Sequence, residues 1–309
     1  ADYSGSKVAV SVSLDGTIGH GGDAEGDTLS GIESLTGSDF DDHLGGDSGA
    51  NVLTGGKGDD VLTGRGGADR LVGGAGVDIA DYSDSSAGVD IGLDGGANLG
   101  GDAQGDTYDG IEGLSGSAFD DRLRGSDAAD VLHGAGGNDM LVGSLGADLM
   151  DGGDGFDTAD YSRSTAAITV DLTAGTGAGG LAGGDTLVSI EEVIGTDFND
   201  TLKGSGADET LIGGAGDDLL AGRGGADTMD GGAGFDTVTY ADSSAGVEVT
   251  MDGSISHGGD AEGDRLLSVE HVIGSSYDDR ITGTAGADQI EGGAGSDTLI
   301  GNEGDDTLD

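Results

Sequence analysis

A nine-residue pattern that repeats without slippage constrains this chain more than any other feature. In the run 46–81, each unit carries a glycine-rich turn, an acid or Asn at its sixth position and an aliphatic residue or Ala at its eighth. Glycine permits positive φ and close backbone approach, so such turns can aim their carbonyl groups at a common point. The three residues after the acid form a minimal strand whose middle side chain points inward. The pattern therefore predicts short strands stacked between glycine turns.

The spacing fits the nonapeptide G-G-x-G-x-D-x-U-x, in which U is a large aliphatic residue. Units such as Gly55–Thr63 and Gly64–Val72 follow it, and the frame stays in phase from Gly37 to Asp81. In these units the chain resembles the repeats-in-toxin (RTX) family, whose members bind calcium through this repeat. The resemblance implies an all-β chain folded as a parallel β-roll, which is a β-solenoid stabilised by calcium. Carbonyl and carboxylate oxygens, which this repeat supplies, are the ligands that Ca²⁺ prefers.

A longer period lies above the nonapeptide. The residues Tyr3, Tyr82, Tyr161 and Tyr240 are each separated by 79 positions. Such a period defines the architecture before any local propensity does, and it predicts four super-repeats, the last of them truncated. They span 1–81, 82–160, 161–239 and 240–309, with nonapeptide blocks at 37–81, 116–160, 195–239 and 274–309. Both termini fall inside the pattern, which predicts that the sequence is a fragment or a processed piece of a longer chain.

The stretch of 34 residues before each block differs from the nonapeptide. It begins with alternating apolar residues, as at Val10, Val12 and Leu14. Alternation with a period of two is typical of a strand with one buried face. A loop rich in Gly and Asp follows, and then a short unit such as Ile32–Leu35, in which an acid lies between apolar residues. We predict that this stretch continues the solenoid with one longer strand and is not a flexible linker.

The charge of the chain limits its partners. The sequence has 61 acids against 11 Lys and Arg residues, a formal net charge of −50. Carboxylates at this density repel one another in a compact state unless cations offset them, so the fold is expected to require cation binding. No basic patch is present to neutralise phosphates, which argues against nucleic acid as a partner. No apolar run approaches the roughly 20 residues of a membrane span, and the absence of Cys excludes disulfides.

The sixth-position residues are the predicted calcium ligands. Two nonapeptides make one coil of 18 residues, so a unit stacks on the second unit after it, and calcium would lie between the stacked turns with carboxylate and glycine carbonyl oxygens around it. Mg²⁺ fits poorly, because it needs a tighter octahedron and retains its waters. Asn51 and Glu209 depart from Asp, and the sites they share are expected to be weaker or distorted. The predicted ligands are Asp42, Asn51, Asp60, Asp69, Asp78, Asp121, Asp130, Asp139, Asp148, Asp157, Asp200, Glu209, Asp218, Asp227, Asp236, Asp279, Asp288, Asp297 and Asp306.

Four further acids in the 34-residue stretches have two interpretations. They either complete calcium sites where one type of segment passes into the next, or they are ordinary turn residues. These acids are Asp27, Asp106, Asp185 and Asp264.

Two sets of apolar residues also leave alternatives open. Aromatic residues at fixed places in the blocks are predicted to fill a wider core where block and long strand meet; a carbohydrate-stacking surface is the alternative if they are exposed. They are Phe40, Phe119, Phe198 and Tyr277, with Phe156, Phe235 and Val77 in the fifth units. Apolar residues at the seventh and ninth positions are expected to face outward, either for β-propensity alone or as a flat face for side-to-side packing. They are Val52, Val61, Ile79, Met140, Leu149, Leu219, Val72, Val142, Ile212 and Ile300.

No catalytic arrangement emerges from the sequence, so we predict that the chain is not an enzyme. It contains no His-Glu-x-x-His, which excludes that form of zinc-protease chemistry. It also contains no Gly-x-Ser-x-Gly elbow, and no Ser, His and Asp recur together along the super-repeats. A pair of carboxylates for acid–base chemistry is not expected, because repeat stacking should make all the acids equivalent and none specially buried.

The function expected from the resemblance is structural. It implies a calcium-binding segment of a large secreted protein of the adhesin, surface-layer or extracellular-fibre kind, exported unfolded by type I secretion from a Gram-negative bacterium and folded by external calcium. The alternative is the calcium-binding tail of a secreted epimerase, protease or lipase. Open roll ends present unpaired strand edges, which predicts self-association end to end, with side-to-side contacts through the outward apolar residues. The sequence identifies no cell-surface or polysaccharide target.

Overall fold

The computed structural model describes all 309 residues and contains 31 strands, four short 3₁₀ turns and no α-helix. The chain divides into two units, Ala1–Asp157 and Thr158–Asp309. Each unit is a parallel β-roll, as predicted. No helix is long and apolar enough to cross a membrane.

The first unit contains fourteen strands, which alternate through each block between two sheets. One sheet has the order β1-β3-β5-β7-β10-β12-β14, and the other face carries β2-β4-β6-β9 and β8-β11-β13. The strands are β1 Ser11–Ser13, β2 Ser34–Thr36, β3 His43–Gly45, β4 Val52–Lys57, β5 Val61–Thr63, β6 Arg70–Ala75, β7 Ile79–Asp81, β8 Asp90–Gly92, β9 Thr107–Asp109, β10 Gly113–Ser115, β11 Arg122–Arg124, β12 Val131–Gly136, β13 Met140–Val142 and β14 Leu149–Asp154.

The second unit repeats this plan with seventeen strands. One sheet contains β16-β20-β22-β24-β27-β29-β31, and the other face carries β15-β19-β21-β23-β26 and β25-β28-β30. The strands are β15 Thr158–Asp160, β16 Thr169–Asp171, β17 Thr176–Ala178, β18 Thr186–Val188, β19 Glu192–Ile194, β20 Thr201–Lys203, β21 Thr210–Ala215, β22 Leu219–Ala221, β23 Thr228–Ala233, β24 Thr237–Thr239, β25 Glu248–Thr250, β26 Arg265–Leu267, β27 His271–Ile273, β28 Arg280–Thr282, β29 Gln289–Glu291, β30 Thr298–Ile300 and β31 Thr307–Leu308.

The register between coils follows directly from the nonapeptide. Leu44 pairs with Leu62 and Leu53 with Leu71, each across 18 residues, so eighth-position side chains stack in two columns between the sheets. These four leucines are at most 1% exposed, and burying such a side chain stabilises the fold by about 1.5–3 kcal/mol. The core is thin because each coil contributes only one such residue to each sheet.

The 34-residue stretches correct one expectation, because the predicted longer strand is absent. Only three residues, such as Ser11–Ser13, pair with the block. The chain then leaves the sheet and returns by an antiparallel bridge between Ser11 and His20. A 3₁₀ turn follows, with a fully buried Ala24 at its end. The turn recurs at 79-residue intervals, at Gly22–Ala24, Gly101–Ala103, Gly180–Ala182 and Gly259–Ala261.

Successive super-repeats place the equivalent strand on opposite sheets. In the first unit β1 pairs with β3, whereas its equivalent β8 pairs with β11 on the other face. The second unit shows the same switch between β16 and β25. Each nonapeptide is half a coil, so a block of five begins and ends on the same sheet. The next super-repeat within the unit therefore starts on the opposite sheet. The division of the chain into four super-repeats remains a prediction.

Candidate metal centres

Hydrogen bonds link the sixth-position acids from one coil to the next. Oδ1 of Asp60 accepts the backbone N–H of Asp42 at 2.8 Å, and Oδ1 of Asp78 accepts that of Asp60 at 2.8 Å. In the third block Asp218 and Asp236 repeat the arrangement at 2.7 and 2.9 Å. Each such carboxylate therefore ties two coils together through one oxygen and leaves its other oxygen for a second partner. The acids whose Oδ1 accepts a backbone N–H in this way are Asp60, Asp69, Asp78, Asp139, Asp148, Asp157, Asp218, Asp227, Asp236, Asp297 and Asp306.

In the first two units of each block, the second oxygen is also satisfied within the turn. Oδ2 of Asp121 accepts the backbone N–H of Ser117 at 2.5 Å, while the Ser117 hydroxyl donates to Oδ1 at 2.9 Å. Thr196 holds Asp200 in the same way at 2.6 and 3.0 Å. The side-chain oxygen of Asn51 accepts the N–H of Asp47. We call these residues the capped acids: Asp42, Asn51, Asp121, Asp130, Asp200, Glu209, Asp279 and Asp288.

The later units of the blocks, apart from the one with Ser144, lack Ser or Thr at the second position, so the turn supplies no hydroxyl to cap the second oxygen. Seven carboxylates keep Oδ2 buried without a hydrogen-bond donor. A buried polar atom without a partner costs about 1–3 kcal/mol, and more when it is charged. A cation at this oxygen would remove that cost. We call these residues the open acids: Asp60, Asp69, Asp78, Asp139, Asp218, Asp227 and Asp236.

The electrostatics of the open acids also favour a cation. Burial raises the pKa of Asp60, Asp139 and Asp218 to about 7, and that of Asp227 to about 8, with neighbouring carboxylates adding to the rise. A stacked column of acids at 18-residue spacing accounts for this second cause. A divalent ion would supply the charge that holds these groups ionised at neutral pH. The expectation that no acid is specially buried is therefore wrong, because the column places its members inside the turn.

Glycine at the first position of each unit makes room for a shared oxygen cluster. A Cβ added at Gly213 would overlap Oδ2 of Asp218 and come within 2.6 Å of the carbonyl oxygen of Gly231 in the next coil. A Cβ at Gly134 would likewise meet Asp139 and, at 2.5 Å, the carbonyl oxygen of Gly152. Carboxylate and carbonyl oxygens from adjacent coils therefore converge where glycine leaves space. This donor set, hard oxygens only, fits Ca²⁺.

The sites would depend on backbone oxygens for most of their ligands. Nowhere do three or more Asp, Glu, His or Cys side chains gather at one point that could hold a metal. Because Ca²⁺ takes six to eight oxygens, one or two carboxylates per coil must be supplemented by glycine carbonyls. The regular 18-residue stacking of the turns places such carbonyls in every coil.

The four acids outside the blocks are held by the tyrosines of the 79-residue period. The Tyr82 hydroxyl donates to Oδ2 of Asp106 at 2.7 Å, and Tyr240 donates to Oδ2 of Asp264 at 2.9 Å. Tyr3 with Asp27 and Tyr161 with Asp185 form the same pair. Oδ1 of Asp106 accepts the N–H of Asp69, and Oδ1 of Asp264 accepts that of Asp227. Asp106 and Asp264 thus continue the acid column, which is more than a turn role.

Two glutamates also belong to the column and were absent from the predicted set. Oε2 of Glu112 accepts the N–H of Asp78 at 3.1 Å, and Oε2 of Glu270 accepts that of Asp236 at 3.0 Å. Each stands one residue before a short strand, as a sixth-position acid does. The signal was the Glu-x-Leu or Glu-x-Val spacing in the short units that precede each block.

The aromatic residues are not core residues, so that prediction is wrong. Phe40, Phe119, Phe198 and Tyr277 are 42–49% exposed, and Phe156, Phe235 and Val77 are exposed as well. The cause is the turn chemistry next to them: the hydroxyl of Ser38 accepts the N–H of Phe40, and Ser117 does the same for Phe119. This local turn directs the fourth-position side chain away from the stack.

The seventh and ninth positions follow their prediction only in part. Val52 is exposed, but most of the set is half-buried and Val142 is only 1% exposed. Strands about 4.8 Å apart let side chains on one face cover their neighbours in the next coil. Side-to-side packing through this face remains a prediction.

Comparison with known families agrees with this geometry. The model of the RTX calcium-binding nonapeptide repeat (four copies) matches residues 45–80, 106–141, 115–150, 124–159, 203–238 and 273–308, together just over half of the chain. A search of curated proteins finds no match to the chain.

Proposed function

Since the chain belongs to the RTX calcium-binding nonapeptide repeat family, we propose that it is a structural segment of a secreted bacterial protein that folds on binding several Ca²⁺ ions. The observation that carries the proposal is the column of open acids, whose buried Oδ2 atoms have no donor. Backbone carbonyls of the adjacent coil lie beside these oxygens, as at Gly231 next to Asp218. Calcium would supply the positive charge that a chain of net charge −50 lacks.

The open acids are the proposed principal ligands. In each, Oδ1 fixes the carboxylate by accepting a backbone N–H from the preceding coil, and Oδ2 then faces the first-position glycine of its own unit. Asp157, Asp297 and Asp306 share the Oδ1 bond and are proposed as ligands of the same kind. Asp148 shares this bond too, but its Oδ2 accepts the Ser144 hydroxyl at 3.0 Å, so it is proposed as a secondary ligand. The capped acids and the four tyrosine-bound acids are proposed as weaker or secondary ligands, because hydrogen bonds already engage their oxygens.

This arrangement makes folding depend on calcium. In the unfolded chain the acids are far apart and solvated, whereas the coils of each unit bring them into buried columns at 18-residue spacing. Binding free energy therefore becomes folding free energy, as in other domains built around metals. Low intracellular calcium would leave the chain unfolded for export by type I secretion, and external calcium would fold it outside a Gram-negative cell.

We place this segment in an adhesin, a surface layer or an extracellular fibre. Support comes from the extent of the coils: strands occur from Ser11 to Leu308, and neither unit contains an α-helix. The tail of a secreted epimerase, protease or lipase is the alternative for the same coils. Sequence flanking the segment distinguishes the two, since a catalytic domain would favour the tail and further 79-residue repeats would favour the structural role.

Circular dichroism tests the calcium dependence. In chelator the spectrum should be mostly coil, and added Ca²⁺ should restore the β signal, whereas an equal concentration of Mg²⁺ should not. Magnesium is the matched control because it has the same charge and a different preferred geometry. A β spectrum that is unchanged in chelator would falsify the proposal.

A further inference from the structure

Two arginines occupy a place in the coil where the repeat normally has glycine. Arg65 and Arg223 both stand at the second position of the fourth unit of a block, 158 residues or two super-repeats apart. Both have left-handed backbones, with φ of 62° and 69°. Glycine takes this conformation freely and other residues do so at a cost. A side chain retained there in two super-repeats indicates that its contacts offset the strain.

Each guanidinium binds an oxygen cluster at the junction between the block and the preceding 34-residue stretch. Arg223 donates to both carboxylate oxygens of Asp171 at 2.8 Å and to the carbonyl oxygen of Gly204 at 2.7 Å. Arg65 donates to Asp15 at 2.6 Å and to the carbonyl oxygen of Gly46 at 2.8 Å. The proposed calcium sites offer the same two types of oxygen, a carboxylate and a first-position glycine carbonyl. At these two junctions a side-chain cation binds them instead.

The rest of the coil shows matching departures from the repeat. The unit that supplies the bound carbonyl carries Asn51 in the first block and Glu209 in the third, in place of Asp. The second and fourth blocks keep Asp130 and Asp288 at this position. They carry no arginine at the equivalent of Arg65, since Ser144 and Asn302 stand there. The first and third blocks therefore combine an arginine with a sixth-position residue other than Asp, whereas the second and fourth blocks have neither departure.

The fourth super-repeat provides a natural comparison without the charge. The side-chain amide of Asn302, at φ 74°, donates to the carbonyl oxygen of Gly283 at 2.7 Å. Asn302 thus makes the equivalent of the contact between Arg223 and Gly204, but its side chain carries no positive charge. The acid at the equivalent of Asp15 is Asp252, which accepts hydrogen bonds from Ser254 two residues later. That junction lacks the arginine found in the first and third super-repeats, and its own ion pair, Arg280 with Glu248 at 3.6 Å, joins two exposed side chains, whose pairing contributes little.

We propose that Arg65 and Arg223 are built-in cations that join the 34-residue stretch to its block without calcium. An arginine fork makes paired hydrogen bonds to a carboxylate and stays charged at all accessible pH values. These two junctions therefore form at lower calcium concentration than the junction of the fourth super-repeat. This inference rests on the calcium-dependent folding proposed above, and it adds that the first and third junctions fold before the fourth.

Hydrogen exchange measured along a calcium titration tests the order. In the natural chain, 169–173 and 204–206 should gain protection at a calcium concentration several-fold lower than 248–252 and 283–285. Arg223→Asn copies the residue of the fourth super-repeat and should raise the midpoint of the third junction to that of the fourth. Arg163→Asn is the matched control, because it removes an exposed positive charge from the same super-repeat; it should leave the midpoint unchanged.

Equal midpoints for the third and fourth junctions in the natural chain would overturn the inference, and so would equal shifts in the Arg223 and Arg163 variants. If Arg223→Asn fails to fold at saturating calcium, Arg223→Lys, which keeps the charge and loses the fork, should give an intermediate midpoint. Protection that is independent of calcium everywhere would instead contradict the proposed function, so the two failures are distinguishable.

Discussion

Tyr240 and Asp264 form a buried pair in which the phenol donates a hydrogen bond of 2.9 Å to Oδ2 of the carboxylate. Both side chains are at most 2% exposed. Burial raises the pKa of Asp264 to about 6 and that of Tyr240 well above its ordinary value. The same pair recurs at Tyr3, Tyr82 and Tyr161. In the second and fourth super-repeats the same aspartate also accepts the N–H of Asp69 or Asp227, so there the tyrosine holds the acid that joins the stretch to the acid column.

Removing this phenol should destabilise the second unit. Tyr240→Phe leaves Oδ2 of Asp264 buried without its donor, which costs about 1–3 kcal/mol. We expect the free energy of unfolding in urea, at saturating calcium, to fall by that amount. Tyr277→Phe is the control, because Tyr277 is 49% exposed, and it should change stability by less than about 0.5 kcal/mol. Equal effects of the two substitutions would show that the buried hydrogen bond contributes nothing.

The open acids predict an unusual pH dependence in the absence of calcium. The pKa of Asp60, Asp139 and Asp218 is raised from an ordinary value near 3.8 to about 7. Between these pH values the folded chain binds more protons than the unfolded chain, so stability falls as pH rises. The stabilising contribution is complete below about pH 4 and lost above about pH 7.

The measurement is the β signal of calcium-free protein between pH 4 and pH 8. We expect residual β structure at the acidic end that disappears as pH rises through neutrality. Calcium should abolish this trend above pH 7 and should bind more weakly as protons compete below it. A calcium-free β signal that increases with pH would contradict the burial of these carboxyls.

Much of this architecture was predictable because the repeat encodes it locally. The positions of Asp60 and Leu62 within the nonapeptide specify which side chain faces the turn and which fills the core. The 18-residue register follows because two such units make one coil. The distinction between capped and open acids was not predicted. It depends on whether Ser117 or Ala135 occupies a turn position that the repeat pattern treats as degenerate, and on hydrogen bonds that only the folded turn forms.

The exposed positions of the aromatic residues were predicted wrongly from the sequence. Phe40 and Phe119 were predicted to fill a wider core where the block and the long strand meet. Their direction is set instead by the serine two residues earlier, whose hydroxyl accepts the aromatic residue's N–H. The roles of Arg65 and Arg223 were likewise invisible in the sequence, because the acids they bind lie about fifty residues away along the chain.

The first-position glycines should be irreplaceable where oxygens converge. Gly213→Ala would place a methyl group against Oδ2 of Asp218 and the carbonyl oxygen of Gly231. We expect a loss of at least one bound calcium and a higher calcium midpoint for folding of the third block. Gly224→Ala is the matched control in the same block, since its Cβ would meet nothing within 4 Å. Similar calcium binding by both variants, measured by isothermal titration calorimetry, would argue against a site at Gly213.

The two classes of acid should respond differently to loss of charge. Asp139→Asn keeps the Oδ1 acceptor for the N–H of Asp121 but replaces the open Oδ2, so the chain should bind one calcium fewer with little change in its fold at saturating calcium. Asp121→Asn instead turns an amide donor toward the N–H of Ser117, which should cost about 1–3 kcal/mol of stability and leave the number of bound calcium ions unchanged. Calorimetric stoichiometry together with urea unfolding separates these effects. If the Asp121 variant loses a calcium ion and the Asp139 variant does not, then metal binding follows the capped acids and the assignment of the sites is reversed.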